Sequence, residues 1–179
     1  MTKANNIKIQ AIVLTGMMTA VLCVLSIIQI PMPTGVPITL QTFAVALCGY
    51  VLGAKKGAVA AALYLLMGLI GIPVYSGFAA GPGILFGMTG GFIFGFILMA
   101  LICGLEAGNK VLKIVLGVSG LACCHLCGVI QFSIVTGTGV FKSFLLVSVP
   151  YLIKDLLSVA GAYLISIPVK KAMTNVTGM

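Results

Sequence analysis

Acidic residues are almost absent from this chain: one aspartate and one glutamate stand against ten basic residues, all lysine, in 179. There is no acidic pair, no Ser-His-Asp order and no Walker A sequence, so nothing supports acid–base catalysis, acyl transfer or nucleotide hydrolysis. The chain reads as a protein other than an enzyme, without a cofactor. Charge of either sign is scarce, at 7% of residues against the about 25% of a soluble domain. With 61% hydrophobic residues and a mean hydropathy of +1.27, a water-soluble domain is excluded. Strict apolar–polar alternation is missing, which argues against a transmembrane β-barrel. A basic stripe with interleaved aromatics is missing too, so the net charge of +8 does not imply a nucleic-acid partner.

What the chain does contain is apolar sequence in six segments, near 9–28, 38–54, 57–73, 89–106, 111–135 and 145–169. Their lengths approach the about 20 residues that cross a bilayer. The first lacks a small-residue cleavage pattern and is expected to remain as a helix. The expected fold is all-α: a polytopic membrane protein with six transmembrane helices, one transmembrane domain over residues 1–179. The lysines orient it. Lys3 and Lys8 precede segment one, Lys55 and Lys56 lie between two and three, Lys110 and Lys113 between four and five, and Lys170 and Lys171 follow six. Those eight fall on one side, which the positive-inside rule makes cytoplasmic, with both termini in the cytoplasm of a cell-membrane protein. The other side carries Lys142, with Lys154 inside segment six.

Asp155 is the one aspartate, and it stands within the hydrophobic run FLLVSVPYLIKDLLSVAGAYLISIPV, residues 144–169. A carboxylate near the centre of a transmembrane helix costs about 2.5–3.5 kcal/mol on insertion scales, which makes it a candidate binding residue. The alternative is a simple pairing with Lys154, or a place near the headgroups. Counted from Val149 at 1.5 Å per residue, Asp155 lies about 9 Å into the helix. The six cysteines fall inside apolar segments and are expected to pack as small apolar residues. Cys123, Cys124, His125 and Cys127 resemble a metal cluster, but consecutive helical residues diverge and a closed zinc site needs four converging ligands. Packing with a hydrogen-bonded histidine is the expectation, and no metal. Glu106, at the lysine-bearing end of segment four, needs only a solvated or lysine-paired role.

Two long connections on the opposite side carry no charge. PMPTGVPITLQTF, residues 31–43, holds three prolines that keep it extended or turned, and delivers Thr39, Gln41 and Thr42 to the start of segment two. Thr39 suits a helix cap; Gln41 suits a ligand or a loop contact. GIPVYSGFAAGPGILFGMTGGF, residues 71–92, has seven glycines in 22 residues and cannot be a stable span. It is expected to fold as a plug, since irregular backbone at membrane depth must be buried or line a cavity. Thr89, Gly90 and Gly91 open segment four, where free amides suit an anion or carbonyl group, or where Thr89 caps and the glycines pack. Tyr75, Phe78, Phe86 and Phe92 could supply apolar walls, or face core or lipid. Gly16 and Ala20 form a small-xxx-small pair that lets another helix approach.

The strings VPITLQTFAVALCGYVLGAKKGA (36–58), YLLMGLIGIPVYSGF (64–78), FGMTGGFIFGF (86–96) and PYLIKDLLS (150–158) closely resemble the BioY family, the biotin-specific S components of energy-coupling factor (ECF) transporters. The likeness covers nearly the whole chain. It implies an S-component helical bundle that captures biotin from outside and passes it inward with a membrane T component and two ATP-binding cassette ATPases. It implies a site built from Asp155, Lys154, Thr89, Gly90, Gly91, Gln41, Tyr75 and Phe92. Asp155 would accept from the ureido N–H groups. The same likeness implies a docking face for the T component at Gly16 and Ala20. Some positions depart from the family pattern. The usual segment-six lysine three residues after the aspartate is Ser158, the glycine before it is Lys154, the Gly-Pro string at 87–91 is Gly-Met-Thr-Gly-Gly, and a polar ligand contact of some members is Ala79. These departures leave open an S component for another small vitamin, and the residues alone also permit a small membrane enzyme using Asp155.

Overall fold

The computed structural model describes residues 3–177. Eight α-helices are assigned among them. Six have at least 12 residues: α1 (Lys3–Ile27), α2 (Gln41–Leu52), α3 (Ala54–Leu69), α5 (Gly90–Cys103), α6 (Lys110–Thr136) and α8 (Val149–Thr177). Two are shorter, α4 (Pro82–Leu85) and α7 (Val140–Val147). Three are long and apolar enough to cross a membrane, over Lys8–Ile27, Lys110–Thr136 and Val149–Met173. Their outward faces are apolar, as at Ile12, Val24, Ile134 and Ile153, which suits contact with lipid.

The middle segments are shorter than expected. At 1.5 Å per residue, α2, α3 and α5 extend about 18–24 Å, less than the about 30 Å hydrocarbon layer. Each is trimmed by a physical stop. The stretch before α2 pairs as a short antiparallel ribbon, β1 (Gln29–Ile30) with β2 (Ile38–Thr39), in place of helix. A single residue, Gly53 at φ +81°, reverses the chain between α2 and α3. The glycine-rich connection folds back as a 3₁₀ turn over Ser76–Phe78 followed by α4, started by Pro82. Gln131 on α6 holds that connection by donating to Leu85 O at 2.7 Å and Gly87 O at 2.8 Å.

The expected segment 145–169 is two helices. Ser148 breaks the chain between α7 and α8. Pro150 then stands in the first turn of α8, where its missing N–H costs no helical bond.

The bundle closes through glycine. A Cβ on Gly91 would stand 2.3 Å from Cys127 O, and one on Gly95 2.8 Å from Cys124 Cα, so α5 lies directly on the backbone of α6. A Cβ on Gly104 would meet Ala54 N at 2.3 Å, which sets the end of α5 beside the start of α3. Glu106, Lys110 and Lys113 face Tyr163 and Lys170 of α8, and the first half of α1 lies against Lys55 and Lys56. The lysine pairs therefore gather at one end of the bundle. Lys113 Nζ donates to Leu105 O there at 2.6 Å.

Candidate functional site

At the other end, α2, α5, α6 and α8 leave a cavity of about 50 Å³ roofed by residues 36–39. Asp155 and Lys154 from α8, Gln41 from α2, Phe92 from α5, Thr89 just before it and His125 from α6 all line it. Asp155 is 4% exposed. Its Oδ2 lies 3.1 Å from His125 Nε2, and its Oδ1 forms an ion pair with Lys154 Nζ. Thr42 on α2 also interacts with the carboxylate. A carboxylate taken from water loses several kcal/mol of solvation and is retained only where such partners answer it.

The polar side chains form a chain through the apolar bundle. Lys154 Nζ also donates to Thr39 O at 3.0 Å. Thr39 Oγ1 donates to Gln41 Oε1 at 3.0 Å, and Gln41 Nε2 donates to the Tyr64 hydroxyl at 2.7 Å. At the far end Ser148 Oγ meets His125 Nδ1 at 2.8 Å. Seven polar residues are thus linked from α3 to the α7–α8 junction. The roof is tied down twice from α8, by Lys154 at Thr39 O and by the Tyr151 hydroxyl at Val36 O. Phe92 meets the His125 ring edge-on, with centroids 5.8 Å apart at 88°. Ile93, Phe96 and Val147 complete the apolar wall.

The residues singled out from sequence separate into groups. Asp155, Lys154, Gln41, Thr89 and Phe92 converge on the cavity. Lys154 turns inward to the carboxylate beside it, whereas Ser158 does not line the cavity. Tyr75 lies elsewhere: its ring is fully buried against Gly68 and Tyr64, and its hydroxyl donates to Leu65 O at 2.6 Å. Gly90 and Gly91 serve close backbone approach, since a Cβ on Gly90 would stand 1.7 Å from Leu85 O. Thr89 makes no side-chain cap to α5. Phe78 and Phe86 are exposed and lie outside the cavity. Gly16 and Ala20 sit on the outer face of α1, with nothing within 4 Å of a Cβ on Gly16. Among the described residues no group of three His, Cys, Asp or Glu converges as a metal site. The cysteines are free.

His125, Ser148 and Tyr151 were not legible as site residues. His125 is 30 positions from Asp155 on another helix, and no spacing rule joins them. Tyr151 alone had a signal: it precedes Asp155 by four, which puts both on one helix face.

A helical membrane bundle with a buried ionic cavity under uncharged loops defines a class of integral membrane binding proteins, and its fold has a solved counterpart. The chain superimposes on the crystal structure of the S-component for biotin from an ECF-type ABC transporter with a TM-score of 0.85, at 22% identity, covering 96% of this chain and 95% of that one. It has that fold. The BioY family model matches residues 1–175, and the chain belongs to the BioY family. It is similar to the biotin transporter BioY of Thermotoga maritima, 39% identical over 159 residues, 87% of this chain and 93% of the relative. It is also similar to the probable biotin transporter BioY of Pyrococcus horikoshii, 35% identical over 131 residues, 73% of this chain and 78% of the relative.

Proposed function

We propose that this chain is the substrate-capture subunit of an ECF-type importer, binding biotin from the extracellular side and passing it inward with a T component and two ATPase subunits. The observation that carries the reading is the buried Asp155–Lys154 ion pair lining the cavity. Biotin offers two ureido N–H donors, a carbonyl, an apolar ring and a carboxylate tail. The ureido N–H groups donate to Asp155, in charge-assisted bonds that gain strength away from water. The Lys154 ammonium and the Gln41 amide answer the carbonyl. Phe92 lies against the ring, and Thr89 stands at the cavity edge for the tail. Tyr75, Gly90 and Gly91 support the fold around the site and do not touch ligand.

The cavity, at about 50 Å³, holds a few waters and is far below the about 300 Å³ at which ligand pockets begin. Ligand entry therefore requires the roof at residues 36–39 to lift and the Tyr151 and Lys154 ties to break. Lysine placement supports an orientation with both termini in the cytoplasm and the cavity in the outer half of the cell membrane. The outer face of α1 at Gly16 and Ala20 is open to receive a helix of the T component.

Equilibrium binding of radiolabelled biotin to the purified chain tests this. Saturable binding without ATP hydrolysis is the expected result. A chain that ignores biotin and takes up another vitamin overturns the substrate; ATP hydrolysis by the pure chain overturns the division of labour.

A further inference from the structure

His125 is the one histidine of the chain and is 6% exposed. Both ring nitrogens are engaged from the same stretch of chain, Nδ1 by Ser148 Oγ at 2.8 Å and Nε2 by Asp155 Oδ2 at 3.1 Å. Ser148 is itself fixed. It is buried at the α7–α8 break, its N–H donates to Phe144 O at 3.0 Å, and its carbonyl accepts from Tyr151 and Leu152 N–H groups at 3.0 and 3.1 Å. The donor inventory sets the direction of the relay. A carboxylate only accepts, so Nε2 carries a proton toward Asp155; the neutral ring then accepts at Nδ1 from the serine hydroxyl, which can donate. Of the two neutral tautomers, only this one satisfies both contacts. Phe92 packs against the imidazole in a T-shaped arrangement, with ring centroids 5.8 Å apart.

The same pair faces two spaces. His125 lines the central cavity, and His125 and Ser148 also line an apolar groove between α6, α7 and α8 that opens sideways between Phe141, Phe144 and Leu152. The hydrogen-bonded pair is the partition between the polar cavity and the lipid-facing groove.

We propose that His125 is a positioning residue for ligand capture: the Ser148–His125 relay takes up Asp155 Oδ2, fixes the carboxylate rotamer and presents Oδ1 to the N–H donors of the ligand. The inference rests on the biotin-binding reading above. Its test uses the purified full chain in detergent, with ¹⁵N-labelled histidine and radiolabelled biotin. The single histidine gives a single pair of ring resonances. Expected are a protonated Nε2 with a bare Nδ1, and a shift of both on saturation with biotin. His125→Phe keeps a ring of similar size and removes both nitrogens; it should weaken biotin binding by about tenfold or more. His125→Gln restores a donor toward Asp155 and should recover most of that loss. In an Asp155→Asn background, His125→Phe should cost no more than about twofold, because a relay has nothing left to hold.

An Nδ1-protonated neutral ring overturns the proposal, as does equal loss from His125→Phe in both backgrounds or affinity within about twofold of the unmutated chain. If His125→Phe does not fold, Ser148→Ala decides. It should weaken binding by a few-fold and mix the tautomers, and an unchanged spectrum and affinity would count against the relay. Should the unmutated chain bind no biotin, the transport reading fails, while the tautomer still tests the relay by itself.

Discussion

At the lysine-bearing end of the bundle, α2, α3 and α5 close on one another through bare backbone. A Cβ on Gly49 would stand 2.4 Å from Ala100 O, and one on Gly57 2.8 Å from Gly49 Cα. At the opposite end α5 still lies on α6 through Gly91 and Gly95, but around the cavity seven polar side chains are joined by directed bonds from Tyr64 to Ser148. The difference is one of reversibility. In lipid there is no hydrophobic force between helices, so contact depends on close packing, and glycine gives the most contact for the least volume. Such an interface has one arrangement. Hydrogen bonds and an ion pair around a cavity can be exchanged for equivalent bonds to a ligand. The lysine-bearing end is closed by glycine alone, and the cavity end adds polar contacts that a ligand can replace.

The largest effect should come from breaking the closed end. Gly49→Leu forces a side chain into the Ala100 carbonyl, and overpacking costs about 3 kcal/mol or more where the neighbour is backbone. The expected outcome is a chain that fails to elute as a folded species in detergent, or melts far lower. A melting temperature close to that of the unmutated chain would falsify the rigid-end account.

Asp155→Asn should come next, on binding rather than folding. The amide keeps the shape and removes the charge, and a hydrogen bond to a charged group is worth about 1.5–3 kcal/mol, so biotin affinity should fall about 10- to 100-fold. The substitution eases the insertion cost of a central carboxylate, so membrane insertion should be retained. Unchanged affinity in the folded variant removes Asp155 from the site.

The contrast between the two ends also explains what could be read from sequence. Segments one, five and six are visible because their apolar runs approach or exceed bilayer length, and α1, α6 and α8 lie there. The α7–α8 break at Ser148 was hidden inside one unbroken apolar run, although Pro150, two residues on, is a helix-start signal. Asp155 and Lys154 stood out because charge in an apolar helix is rare. His125 did not, because its meaning depends on Ser148 and Asp155, 23 and 30 positions away. Glycines gave the least: Gly90, read either as part of an anion or carbonyl site or as a packing residue, lies close against Leu85 O, and nothing in its own sequence distinguishes the two uses.

A smaller effect is expected at the roof. Tyr151→Phe keeps the ring and removes the bonds of its hydroxyl to Val36 O and Thr34 Oγ1, the latter 2.8 Å. A net hydrogen bond of about 1 kcal/mol makes roughly a fivefold change in the closed fraction. Biotin should exchange faster by a few-fold, measured as the dissociation rate of labelled ligand. A dissociation rate equal to that of the unmutated chain would mean that the Val36 contact does not hold the roof.

The smallest effect on the isolated chain is expected on the outer face of α1, where the same change made at Gly49 should do nothing. Gly16 has no atom within 4 Å of a Cβ, and Ala20 lies on the same exposed face. Gly16→Leu with Ala20→Leu adds apolar bulk toward lipid, so melting temperature and biotin affinity should match those of the unmutated chain. If this face receives a T component, close approach of another helix is lost, and co-purification with that subunit and biotin uptake should both fail. Uptake at the normal level would show that docking lies elsewhere. A drop in the melting temperature of the isolated chain would show instead that α1 packs on its own bundle there, and that the open space at Gly16 is part of the fold's closure.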